Sequence, residues 1–140
     1  MKYDVWYGRH GREPVSSVAE LDTVLDAVQR QRGDGGAPFV VTIVPVVEDA
    51  EFDELPGLQV GVGLDDRAFV FFSAADGHGT GYGVEPGITQ WPTVLAWDYS
   101  GQWTDYEPAK TRVTLATARE AARQYVTTGR RPINVQWSDS

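Results

Sequence analysis

The sequence has no cysteine, which excludes disulfide bonds, thiol catalysis and thiolate metal sites. Its two histidines, His10 and His78, lie far apart and form no His-x-x-x-His pair, so we expect no metal centre. No apolar run approaches the ~18 residues that indicate a membrane span. The first eight residues also lack the basic start and apolar stretch of a signal peptide, which predicts a cytoplasmic protein.

Basic residues are scarce in the middle of the chain. Residues 33–109 contain thirteen acidic residues and a single base, Arg67, whereas residues 1–32 balance at five of each sign. Residues 110–140 have six bases and two acids, and the whole chain has a net charge of −8. Such a middle segment repels nucleic acid and attracts a cationic partner. Plain solubility explains the same charge equally well.

The motifs of common catalytic and ligand sites are missing as well. There is no Gly-x-Ser-x-Gly, the glycine-rich 77–83 segment lacks the Gly-Lys-Ser/Thr of a phosphate loop, and the acidic 48–54 segment lacks calcium-loop spacing. We therefore expect no cofactor. Paired carboxylates such as Asp98 with Asp105 or Glu107 leave a small carboxylate-dependent enzyme open as an alternative. A structural or regulatory protein-interaction module is another.

Two helical patterns enclose a run of short strands. Ser17 followed by Glu20 is a capping-box signal for a helix that ends by Gly33. Thr114 or Thr117 begins a second helix, and Gly129 ends it. Strand patterns cover 2–8, 39–44, 58–64, 67–73, 94–99, 102–107 and 132–137, with a polar turn at 10–14.

This order predicts one α+β domain over residues 1–140. Its sheet is mostly antiparallel and built of hairpins, with an N-terminal and a C-terminal helix packed on it. The final strand is short, and the sequence does not decide whether it pairs parallel or antiparallel.

The hairpin at 94–107 is the most informative segment. If Ser100-Gly101 is a two-residue turn, side-chain alternation gives each strand one core face and one outer face. The core face holds Leu95, Trp97, Tyr99, Thr104 and Tyr106, and the outer face holds Asp98, Trp103, Asp105 and Glu107. An exposed tryptophan among carboxylates is typical of a protein-binding hot spot. The alternative is that Trp103 lies under a helix or loop.

The predicted partner-binding residues come from this hairpin and from the acidic loop before the central strands. They are Asp98, Trp103, Asp105 and Glu107 in the hairpin, and Glu48, Asp49, Glu51, Asp53 and Glu54 in the loop. We predict that the partner is a protein and that the chain is a monomer or weak dimer.

Residues 113–132, with Thr128-Gly129 near their end, and the closing Val135-Gln-Trp137 resemble the C-terminal signature of the Imm-one (Imm1) family of immunity proteins. In that family a helix ends in Thr-Gly, a Gly-x-Arg-Pro-like turn follows, and the chain closes on a short strand with tryptophan. Residues 113–132 and Val135-Gln-Trp137 fit this pattern, and the segments 58–73 and 101–106 are also similar. The sequence departs from the family at the glycine-rich 77–84 segment and at Asn134.

The resemblance implies a non-enzymatic bacterial antidote that neutralises a polymorphic toxin by direct binding. Toxins near this family are often nucleic-acid deaminases, which implies a partner with a basic substrate groove. The acidic middle segment would complement such a groove, and inhibition would occur by occluding it.

Overall fold

The computed structural model of the chain describes residues 2–48, 55–75, 77 and 79–139. Its strands are β1 (Tyr3–Tyr7), β2 (Gly11–Val15), β3 (Val40–Pro45), β4 (Gly57–Gly61), β5 (Phe69–Ser73), β6 (Gly81–Val84), β7 (Leu95–Tyr99), β8 (Gln102–Tyr106) and β9 (Gln136–Asp139). Its helices are α1 (Val18–Val28) and α2 (Leu115–Thr128). The predicted α+β class, the two helices and the short final strand are confirmed.

Seven strands form one antiparallel sheet in the order β2-β1-β3-β4-β5-β6-β9. The last strand, which the sequence left undecided, pairs antiparallel with β6. The polar turn predicted at 10–14 is wrong, because residues 11–15 form edge strand β2 against β1. An edge strand accommodates Pro14, since the N–H that proline lacks can face solvent there.

Both helices pack on one face of the sheet and start where the sequence indicates. Ser17 caps α1 by accepting a hydrogen bond from the Glu20 N–H at 3.1 Å. Thr114 caps α2, and Gly129 ends it at a φ of +70°. α1 is shorter than expected and ends at Val28. The core on this face includes Leu21, Leu25, Val41, Ile43, Leu58, Val60, Ala118, Ala122 and Tyr125.

The β7–β8 hairpin forms a separate two-stranded sheet on the opposite face. The sequence predicts a single sheet built of hairpins, and for this hairpin the prediction is wrong. Trp97 and Tyr106 pack against Phe69 of β5, with ring centroids 5.0 and 4.5 Å away. The hairpin is therefore a third layer, held by aromatic packing.

The glycine-rich segment ends in strand β6, where Gly81 and Gly83 lie on one face and allow close packing. A side chain at Gly83 would meet Val70 and would place its Cβ 2.8 Å from Val135. Gly83 therefore lets β6 lie against the segment that leads into β9. No helix in the described ranges is long and apolar enough to cross a membrane.

Candidate protein-binding surface

The hairpin has the register that the sequence predicts. Tyr99 pairs with Gln102, Asp98 with Trp103 and Ala96 with Asp105. The turn residues Ser100 and Gly101 have φ values of +53° and +88°, as a two-residue type I′ turn requires. Trp97 and Tyr106 are buried, as predicted for the core face. Tyr99 was predicted on the same face, and that is wrong: it is 37% exposed, because it lies at the end of β7 next to the turn, beyond the packing on Phe69.

Trp103 lies on the outer face and is 52% exposed. Its indole Nε1 donates a hydrogen bond to Asp105 Oδ1 at 3.1 Å. Its backbone N–H donates to Asp34 Oδ2 at 3.1 Å. The Cε3–Cζ3 edge of the ring lies against Gly35, where an added Cβ would be 2.7 Å from Trp103 Cε3. The ring is thus fixed in place while half of the residue is open to solvent.

Asp98 does not face solvent, and this part of the sequence reading is wrong. The residue is 1% exposed, and its oxygens accept hydrogen bonds from the N–H groups of Asp34 at 2.7 Å and Gly101 at 2.8 Å. Its own N–H donates to Pro38 O at 2.7 Å. Asp98 is therefore unavailable for direct contact and instead ties the hairpin turn to the 34–36 turn.

The segment that buries Asp98 was missed because it follows α1 far away in sequence. Residues 34–36 form a short 3-10 turn that covers this part of the hairpin. Gly33 has no space for a side chain, because an added Cβ would collide with the Asp98 carboxylate. The run Gly33-Asp34-Gly35-Gly36 signals a tight turn, but nothing in it indicates which strand it will meet.

Asp105 and Glu107 are exposed beside Trp103, as expected. We call Trp103, Asp105 and Glu107 the hairpin surface. Burial raises the pKa of Tyr82, and the negative charge of Glu107 raises it further. Lys110 lies 5.2 Å from the centroid of the same ring, so a positive charge borders the surface on that side.

The acidic loop falls mostly outside the described residues. Glu48 is described and exposed. Asp49, Glu51, Asp53 and Glu54 lie outside the described residues, so their proposed role has no structural test. Within the described ranges, no group of three or more His, Asp or Glu side chains could hold a metal ion.

A family model described as Immunity protein Imm1 matches residues 9–139. The chain belongs to the Imm1 family. The match includes β2, both helices, the hairpin and β9, so the resemblance inferred from the C-terminal motif is confirmed over nearly the whole chain. A search of curated proteins found no match to this Imm1 protein.

The motif residues of the C-terminal region have structural roles. The Thr128-Gly129 pair ends α2, because the Gly129 N–H donates to Tyr125 O at 2.8 Å. Trp137 of β9 donates from its Nε1 to Pro132 O at 2.8 Å, which closes the turn between α2 and β9. These contacts give the motif residues structural roles in this chain, whereas the hairpin surface is the candidate site of contact.

Proposed function

We propose that this Imm1 protein binds a cognate bacterial toxin domain and neutralises it in the cytoplasm. The observation that supports this most directly is Trp103, half exposed and fixed between Asp105 and Gly35. A rigid aromatic side chain loses little conformational entropy on binding, and such residues dominate protein–protein hot spots. We therefore take the hairpin surface as the centre of contact.

The charge of the chain favours a basic partner. Asp105 and Glu107 border Trp103, and residues 33–109 are strongly acidic. A toxin that acts on nucleic acid needs a basic groove for phosphates, and an acidic inhibitor that covers it blocks the substrate. We propose a nucleic-acid-acting toxin, such as a deaminase, inhibited by occlusion of that groove. Glu48, Asp49, Glu51, Asp53 and Glu54 would assist its approach.

The first experiment expresses the toxin domain encoded beside this gene, with and without the Imm1 chain. We expect growth arrest by the toxin alone and rescue by the chain, with no added metal or cofactor. A catalytically inactive toxin domain should bind the purified chain in a complex containing one copy of each. A toxin domain that neither binds the chain nor is neutralised by it would refute the proposal.

The second experiment tests the hairpin surface. Removing both charges in Asp105→Asn/Glu107→Gln should weaken binding at least about tenfold, as the loss of close charge pairs does. The matched control, Glu13→Gln/Glu120→Gln, removes two exposed charges from β2 and α2. Equal losses in the two double variants would mean that only net charge matters.

A further inference from the structure

A groove lies beside the hairpin, on the part of the sheet that the hairpin leaves uncovered. Its floor is a row of paired residues across three strands: Trp6 of β1, Thr42 of β3 and Gln59 of β4. Tyr99, at the end of β7, forms one wall, and its hydroxyl accepts a hydrogen bond from Gln59 Nε2 at 3.3 Å. We call this the Trp6–Tyr99 groove; it has a volume of about 280 Å³.

Its two exposed aromatic side chains are held in place before any ligand arrives. Trp6 is 38% exposed and Tyr99 is 37% exposed. The Arg12 guanidinium stacks 5.5 Å from the Trp6 ring centroid, and Asp4 pairs with that guanidinium at 3.3 Å. Two fixed aromatic rings, one in the floor and one in the wall of the groove, favour binding of an apolar group. The volume lies below the ~300–1,000 Å³ of typical small-molecule sites, which favours a single protruding side chain.

The charge at the groove is opposite to that of the hairpin surface. Arg9 is the charged residue in the groove lining, and it is exposed. It forms no ion pair among the described residues. It lies against the hairpin turn, since a Cβ added to Gly101 would be 2.9 Å from the Arg9 Cβ. A guanidinium without an ion-pair partner among the described residues, in the lining of a groove with two exposed aromatic rings, is complementary to a carboxylate.

We infer that the Trp6–Tyr99 groove is a second contact point for the toxin, receiving an apolar side chain that has a carboxylate next to it. This inference rests on the proposed function. The hairpin turn connects the two surfaces, because Arg9 of the groove lies against Gly101, two residues before Trp103. A toxin surface that meets both must have a basic region opposite Asp105 and an acidic residue opposite Arg9.

The test measures affinity for the catalytically inactive toxin domain by biolayer interferometry. Trp6→Ala and Arg9→Glu should each weaken binding at least about tenfold, and Arg9→Gln should weaken it less, by about three- to fivefold. The matched control is Arg130→Glu, the same reversal at an exposed residue after α2, which should change affinity less than about twofold. Trp6→Phe keeps an aromatic wall and should retain most of the affinity, and urea midpoints establish that each variant is folded.

The sign of the Arg9→Glu effect decides the inference. If the toxin were basic at this position, the reversal would strengthen binding, and the proposed carboxylate would be refuted. Unchanged affinity in Arg9→Glu and in folded Trp6→Ala would also overturn the inference. In either case, a loss of affinity in Trp103→Ala would still support the proposed function. Failure of the unaltered chain to bind the toxin domain would refute that function itself.

Discussion

Replacing Trp103 with alanine should weaken toxin binding far more than it weakens the fold. An exposed fraction of 52% leaves about 130 Å² of a residue with ~250 Å² of surface. Covering that area would contribute ~3 kcal/mol at ~25 cal/mol per Å². Since part of this gain is offset by the cost of association, we expect Trp103→Ala to cost ~2 kcal/mol or more, a loss of about thirtyfold in affinity.

The same variant should unfold somewhat more easily, because the ring also packs on Gly35 and bonds to Asp105. We expect a loss of ~1–2 kcal/mol in the free energy of unfolding, measured from the urea midpoint. Titration calorimetry with the inactive toxin domain, well below that midpoint, measures the affinity of the folded variant.

Tyr106→Ala is the matched variant on the core face of the same strand. Tyr106 is 8% exposed, and its ring stacks on Phe69 at 4.5 Å. Its truncation should cost ~3–5 kcal/mol of stability and change the affinity of the remaining folded protein little. If Trp103→Ala unfolded the protein while Tyr106→Ala weakened only the complex, the assignment of the two faces would be refuted.

Three further predictions concern the fold and the electrostatics. Asp98→Ala should lower the free energy of unfolding by about 3 kcal/mol, because the N–H groups of Asp34 and Gly101 lose their acceptor; a urea titration that finds less than ~1 kcal/mol would contradict this. The association rate, measured by stopped flow, should fall as ionic strength rises from ~0.01 to ~0.15 M and the Debye length shrinks from ~30 to ~8 Å; a constant rate would exclude electrostatic steering but not binding. A hydrogen bond and positive charge from Arg119 lower the pKa of Asp26, so its contribution to stability is present above about pH 4 and is lost as the pH falls through the lowered folded-state value. Asp26→Asn should reduce the change of the free energy of unfolding with pH between about pH 2 and 5. An unchanged pH dependence would argue against a contribution from the Asp26–Arg119 pair.

The elements that depend on local signals were predictable. Ser17 and Thr114 cap helices because their hydroxyls reach N–H groups three residues ahead, and Gly129 ends a helix because it adopts a positive φ at little cost. The hairpin register followed from a two-residue turn and alternation. Strand β2 was missed because edge strands with proline and charged side chains resemble turns in sequence.

The candidate site was predictable only in part, since the outer face of a strand is exposed only if nothing else covers it. Trp103, Asp105 and Glu107 follow the alternation and lie in the open. By alternation Asp98 lies on the same outer face, yet the 34–36 turn buries it. The Trp6–Tyr99 groove unites residues 93 positions apart in sequence, and no local pattern joins them.

By itself, the sequence determined the α+β class, the start of both helices, the end of α2, the hairpin register and the family, because each depends on residues close together in the chain. The tertiary structure decided which face of the sheet the hairpin covers. It also decided that Asp98 supports the hairpin turn and that Arg9 lies beside an aromatic groove. These outcomes depend on packing between distant segments, where burial and hydrogen bonding of one residue are fixed by neighbours that its local sequence does not specify.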